Sequence, residues 1–297
     1  MPLSPRDLAL LTLLDRTPAT AAQIMKASVS LGEDPYRNER RVRERMQALG
    51  RIGIVRAFSL SIAGGGAANY YKLTPEGFRI VHGSDTPLPH RSFFAALPPA
   101  RLLHTLELAD LIVHTLACAH MHRVQVSSFH RENELLLETG THRVAPDCHV
   151  QFSAGGRLFN VLFELDRSTE SLDSHAATSI RTKLLAYEAY QDYVWGLWKR
   201  GGGQGPRPYF RVAFLTKTVE RAHHILALAR QTARNPDRHL CYAHTSEGFL
   251  TEPDAVRAPI FLDHHGHWQA LVNLYPSAHF TRSPVRIAPY VQLALGV

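Results

Sequence analysis

The fold turns on the stretch APDCHVQFSAGGRLFNVLFELD, Ala145 to Asp166. Two apolar runs, APDCHVQF and LFNVLFELD, flank the turn SAGGR, which predicts two antiparallel strands. In such a hairpin the start of the first strand lies beside the end of the second. Asp147 therefore comes close to Glu164 and Asp166. Residues i and i+2 of a strand share a face, so Glu164 and Asp166 point the same way. Like charges that close need a positive partner. A divalent metal ion fits, and so does a Lys or Arg from a neighbouring element; a solvated strand end is the plain alternative. Three carboxylates at one sheet end suit a hard cation such as Mg²⁺ or Mn²⁺, which prefers oxygen ligands.

Working outward, RVQVSSF and NELLLE read as strand material before the hairpin. After it comes a long amphipathic helix, SHAATSIRTKLLAYEAYQDYVWGLW, then the strand PYFRVAFLTKT, the helix ERAHHILALARQTA and the strand RHLCYAHTSE. An apolar helix, ARLLHTLELADLIVHTLACAH, precedes the whole set. This order predicts an α/β domain with a mixed sheet. GGGQG at 201–205 has no Lys-Ser/Thr tail and does not lead from a strand into a helix, so it is a loop and not a phosphate cradle. From about Gly248 to Val297 the chain carries Pro and short apolar runs without a clear period.

The N-terminal part has a different pattern. SPRDLALLTLLDRT opens with Ser4 as N-cap and Pro5 at the first helical position. TAAQIMKASV is a second helix capped near Thr20, and GEDPY breaks the chain. NERRVRERMQALGRIG is a third helix with Asn38 as cap and Val42, Met46 and Leu49 on its apolar face. IVRAFSLSI and YYKLT are two strands around a glycine-rich tip, and TPEGFRIVHG closes the unit as a short helix. Three helices followed by a hairpin form the winged helix-turn-helix pattern. On and beside the third helix, Arg37, Arg40, Arg41, Arg43, Arg45 and Gln47 lie off the core, diluted by Glu39 and Glu44. Arg37, Arg41 and Arg45 are spaced four apart, on one side. Such arginines contact phosphates and guanine edges. The expected organisation is a winged-helix domain at 1–82, a Pro-rich linker at 83–100 with Phe93, Phe94 and Leu97 able to dock, and the α/β domain at 101–297.

Composition suits nucleic acid, acidic lipid or another polyanion without choosing among them, and the arginines of the third helix make double-stranded DNA the expected partner. The 297 residues carry a formal charge of +7 and the pI is about 9.5. A hydrophobic fraction of 45% excludes wholesale disorder. The apolar run LADLIVHTLACA is short for a bilayer and contains Asp110 and His114, so no membrane partner is expected. The first residues lack a basic leader and a cleavage site, which points to the cytoplasm. Cys118, Cys148 and Cys241 are odd in number and widely spaced, giving neither a disulfide framework nor a CxxC zinc pattern.

Pro146-Asp147, then Glu164-Leu165-Asp166, then a helix carrying Lys183 resembles the PD-(D/E)XK nuclease superfamily. More closely, the chain is similar over residues 5–240 to the replication-relaxation family of plasmids and mobile elements. The matching features are YYKLTPEGF at the end of the winged helix and the signature PD…FELDRSTESL…K…Y. The resemblance implies a metal site of Asp147, Glu164 and Asp166 holding Mg²⁺ or Mn²⁺, and catalysis of DNA nicking or cleavage by Asp147, Glu164 and Lys183. One departure matters. The superfamily's lysine two residues after the Glu is Asp166 here, so Lys183 must supply the charge. The alternative is a non-catalytic winged-helix regulator whose α/β domain forms a homodimer or binds a partner.

Three further features are weighed against plainer readings. Glu132 and Glu134 extend the acidic set or are surface acids, the latter being preferred for Glu132. On a strand, His120 and His122 would share a face and hold a metal in the manner of tyrosine nickases, with Tyr187, Tyr190 or Tyr193 as nucleophile; helical packing is the simpler role for the tyrosines. LDHHGHW, with His264, His265 and His267, lacks a cysteine or a spaced second pair and reads as a loop of exposed histidines.

Overall fold

The computed structural model describes residues 3–274, apart from 33, 63–65, 141, 175, 177 and 178. The start of the glycine-rich tip and the last 23 residues (275–297) therefore lie outside the described residues. The chain divides into two units, Met1–Met121 and His122–Val297.

In the first unit, α1 (Pro5–Arg16) starts at a capping box: the Ser4 side chain accepts the Asp7 N–H and the Asp7 carboxylate accepts the Ser4 N–H. β1 (Ala19–Thr20) leads into α2 (Ala21–Ala27), which has the same device in Thr20 and Gln23. α3 (Glu39–Arg51) is capped by Asn38 and buries Val42, Met46 and Leu49, as its spacing predicts. β2 (Val55–Ile62) and β3 (Gly66–Leu73) pair antiparallel, and β1 adds to β3. α4 (Pro75–His82) packs so tightly that a Cβ on Gly77 would lie 2.1 Å from the Ile54 carbonyl oxygen. Leu10, Leu11, Leu14 and Ile24 complete the core. This is the winged-helix arrangement.

The unit does not end at residue 82. Lys72 Nζ donates to the Ala95 carbonyl at 2.7 Å, and the Leu97 N–H donates to the Tyr70 hydroxyl at 2.8 Å. Phe93 and Phe94 set their edges against Phe78. The Pro-rich stretch is thus a strap tied to the winged helix. It leads into α5 (Pro99–Met121), which packs on α2, with Gln23 Nε2 donating to the Leu106 carbonyl and Asp110 Oδ1 at 2.9 Å each. The division falls after Met121, whereas the sequence placed it in the strap. α5 is also longer than the apolar run singled out in the sequence. By length and composition it could cross a bilayer, but 67% of its apolar window is buried. Such burial is that of a core helix.

The second unit holds β4 (Gln125–His130), the hairpin β5 (Leu137–Thr139) and β6 (His142–Val144), β7 (Cys148–Ala154) and β8 (Arg157–Asp166). After these come α6 (Ile180–Arg200), β9 (Phe210–Thr216), α7 (Val219–Thr232), β10 (Cys241–Thr245), α8 (Ser246–Thr251), β11 (Phe261–Asp263) and β12 (Trp268–Gln269). Among the described residues, seven strands form one mixed sheet in the order β12-β11-β10-β9-β8-β7-β4. β8, β9 and β10 run parallel and their outer neighbours antiparallel. α6 and α7 bury Leu184, Tyr187, Ile225 and Leu226 against Leu162, Val212 and Phe214 of the sheet. The predicted hairpin closes through Gly155 and Gly156, with φ of +55° and +71°. Positive φ at both central residues is the type I′ turn, one of the two whose twist matches that of the strands, and glycine adopts it without strain.

Candidate functional site

Strand pairing brings Asp147 and Glu164 together. Cys148 lies opposite Phe163, the Asp147 N–H donates to the Phe163 carbonyl at 3.0 Å, and Asp147 Oδ2 accepts the Leu165 N–H at 2.7 Å. Asp147 is thereby fixed to the main chain of β8. Alternation turns Glu164 and Asp166 onto the same face as Leu162, the one covered by α6 and α7. They are 2% and 3% exposed, so both carboxylates need partners inside the protein.

α6 answers Glu164. Ser179 caps the helix and fixes its start, and Lys183 and Tyr187, one turn apart, project from the same side. Lys183 Nζ donates to Glu164 Oε2 and to Glu170 Oε1, at 2.9 Å each. The Tyr187 hydroxyl donates to Glu164 Oε1 in a short hydrogen bond. α7 answers Asp166. Arg221, in the first turn after the Thr218 cap, grips both oxygens, Nε to Oδ2 at 2.6 Å and Nη2 to Oδ1 at 3.1 Å. The same guanidinium reaches the Glu170 carbonyl at 2.7 Å, and the Ser168 N–H adds a further bond to Asp166.

The electrostatics follow from this packing. Burial pushes Glu164 from its ordinary 4.5 up to about 7; Lys183 pulls it down and the nearby Asp147 charge pushes it up again. Burial alone would lower Lys183, but the Glu164 and Glu170 carboxylates overcome it and hold the ammonium above its usual range. Burial, then the Glu164 charge, raises the Tyr187 hydroxyl well above its ordinary value, so it remains a donor.

In the first unit Arg37, Arg40, Arg41, Arg43 and Gln47 are exposed. Arg40 and Arg41 lean on Glu44 at 2.9 and 3.2 Å, and Arg43 on Glu39 at 2.9 Å. Pairs this exposed are worth little and yield readily to a phosphate. Arg45 differs. It is bound through two nitrogens to Asp7, which is 1% exposed.

The model of the family described as replication-relaxation matches residues 10–206. The chain belongs to the replication-relaxation family. Membership fits a DNA-binding role in replication or mobilisation. No curated protein matches the chain. Among solved structures it is similar to Bacillus subtilis PadR in complex with operator DNA, at 14% identity and a TM-score of 0.25, over 41% of this chain and 72% of that one. It is also similar to restriction endonuclease FokI, at 15% identity and a TM-score of 0.27, over 84% of this chain and 43% of the other.

In this replication-relaxation protein several expected site residues stand differently from the sequence reading. Asp166 is not disposed as a third metal ligand, because Arg221 and the Ser168 N–H take up its oxygens. Glu164 is engaged on both oxygens as well, by Lys183 and Tyr187, and Asp147 holds the Leu165 N–H beside it, so the two strand-end acids stand next to each other inside a hydrogen-bonded cluster. Arg45 is withdrawn from the DNA-contacting set by its grip on Asp7, and Arg37 precedes the Asn38 cap, so the row of arginines four apart reduces to Arg41 on the open face of α3. Glu132 and Glu134 sit in the turn after β4, with Glu134 paired to Arg131 at 2.8 Å. His120 is in the last turn of α5, so it shares no strand face with His122. Tyr187 is committed to Glu164, and Tyr190 packs on Phe210. Arg221 was missed because nothing in KTVERAHH marks it; only its place beside a helix cap, over the end of the parallel strand, gives it a role.

Proposed function

We propose that this replication-relaxation protein binds double-stranded DNA through α3 and its flanking arginines, and nicks or cleaves DNA at a metal-dependent centre built on Asp147, Glu164 and Lys183. The observation that carries this is the Lys183 ammonium 2.9 Å from Glu164, beside the strand end that holds Asp147. A lysine charge is present at the centre although the strand position two after the Glu is Asp166. Asp147 and Glu164 would hold Mg²⁺ or Mn²⁺, which when bound supplies an activated water and offsets charge on phosphate. Lys183, kept protonated by its two carboxylates, offers the positive charge that a scissile phosphate needs. Tyr187 holds the Glu164 carboxylate in place by its hydroxyl. Plasmid or mobile-element replication in the cytoplasm is the setting that fits such an activity.

Purified protein with Mg²⁺ or Mn²⁺ should convert supercoiled plasmid to open-circular or linear form. Glu164→Gln and Lys183→Ala should each lose that conversion while retaining DNA binding. If wild type converts no DNA, its own element included, the second unit is a binding module. The protein is then a winged-helix regulator, with a homodimer as the first association to measure.

A further inference from the structure

A second convergence of ligand atoms lies toward the N-terminal ends of the parallel strands, the opposite end of the sheet from Glu164. β11 ends at Asp263, and the chain turns through His264, His265 and Gly266 into β12. Asp263 is 0% exposed and organises this turn: Oδ1 accepts the His265 and His267 N–H groups, both at 2.9 Å, and Oδ2 accepts Gln269 Nε2 at 2.9 Å. His239, two residues before β10, brings Nδ1 to 2.6 Å from Asp263 Oδ2, and His267 brings Nδ1 to 3.7 Å from Oδ1. One ligand atom from each of His239, Asp263 and His267 lies within 4.8 Å of the others.

A single histidine would satisfy a structural ion pair with Asp263. Here two imidazoles from different elements converge on one buried carboxylate. Their side chains are 44% and 50% exposed, so an ion can enter from solvent. Two imidazoles and a carboxylate are the donor set of zinc and its neighbours rather than of magnesium. The spaced partner that the histidine-rich loop lacked in the sequence is His239, supplied by the pairing of β10 with β11. His239 also lines a groove of about 1090 Å³ shared with Arg157, Arg207, Trp195 and Tyr209.

We infer that His239, Asp263 and His267 form a binding site for Zn²⁺ or a similar first-row divalent ion. The ion replaces the proton now between His239 Nδ1 and Asp263, and His239 keeps its proton on Nε2. Three protein ligands leave a fourth position for water or for a phosphate oxygen of a chain lying in the groove. This site is independent of the Asp147–Glu164 centre and differs from it in ligand chemistry.

The test uses the full chain, stripped with chelator and titrated with Zn²⁺ by calorimetry, and with Co²⁺ by visible absorption. Wild type should bind one Zn²⁺ per chain and give the d–d bands of low-coordinate cobalt. His239→Ala and His267→Ala should each weaken binding at least tenfold, while Glu164→Gln leaves it unchanged. Both histidines are half exposed, and thermal melts check that the variants fold; His267→Gln replaces any that does not. No stoichiometric Zn²⁺ binding, or binding that both histidine substitutions leave intact, overturns the assignment. Loss in Glu164→Gln would place the ion at the other centre. The nicking reading is judged separately, by plasmid conversion with Mg²⁺ or Mn²⁺.

Discussion

Arg221→Met separates a structural role of Asp166 from a metal-binding one. Methionine keeps most of the stem and removes the charge and all donors. Asp166 then remains 3% exposed, with the Ser168 N–H at 3.1 Å as a partner in place of a two-pronged guanidinium. Removing one member of a buried ion pair costs about 3–5 kcal/mol, because the other charge stays buried and unmatched. The lost bond from Arg221 to the Glu170 carbonyl adds about 1 kcal/mol. In a unit of this size each kcal/mol moves Tm by about 2–4 °C, so the expected fall is roughly 8–24 °C. The double variant Asp166→Asn/Arg221→Met should recover most of the loss, since a neutral amide needs no counter-charge. Calorimetric melts of wild type, both single variants and the double variant, with chelator present, read this directly. A single variant melting within about 1 °C of wild type, or a double variant no better than the single, would refute the reasoning. Selective rescue of Arg221→Met by Mn²⁺ would show instead that Asp166 is a metal ligand.

Glu164 gives a pH prediction with a definite sign. Its proton is held more tightly in the fold, at about 7, than in the unfolded chain at 4.5, so between those values the folded state carries more protons. Stability of the metal-free protein should therefore fall as pH rises from 4.5 to 7, by roughly 3 kcal/mol at most, and level off above; Glu164→Gln should lack this slope in urea melts. In α3, Arg41→Ala together with Arg43→Ala should weaken duplex binding and reduce the salt slope by up to about 2, as two phosphate contacts are lost. Arg45→Ala should instead lower the melting temperature, because it strips Asp7 of its counter-charge. Equal effects of Arg41 and Arg45 on DNA affinity would contradict the division of roles.

The β7–β8 hairpin could be read from the sequence because its evidence is local. Two apolar runs and a Gly-Gly turn specify antiparallel pairing, and pairing brings Asp147 beside Glu164 whichever helices cover the sheet. The cations that answer the two carboxylates could not be read that way. They depend on which faces of α6 and α7 meet the sheet, and Arg221 looks no different in sequence from Arg230 or Arg234. Arg45 was misplaced for the same reason. Helical spacing puts it beside Arg41, but α1 presents a buried carboxylate that captures it. The strap at 83–100 has the composition of a linker, and its bonds from Lys72 and to Tyr70, with the Phe93 and Phe94 contacts on Phe78, show that it belongs to the winged-helix unit.

The exchange of lysine for Asp166 looks, in sequence, like an extra negative charge at the centre. The structure removes that charge from the account. Because i and i+2 share a strand face, an acid at this position needs its own cation in the protein, and Arg221 supplies it with matched two-pronged geometry. What remains around Lys183 is Asp147, Glu164 and Glu170, three carboxylates against one ammonium. Glu164 and Glu170 share that ammonium, and Asp147 is bound to the Leu165 N–H. A second ion would have to draw Asp166 away from Arg221, at the cost of leaving a guanidinium 14% exposed without its main partner. On the proposed reading, a single ion at Asp147 and Glu164 leaves that pair intact, with Lys183 of α6 as the cation beside Glu164 and Asp166 neutralised by Arg221.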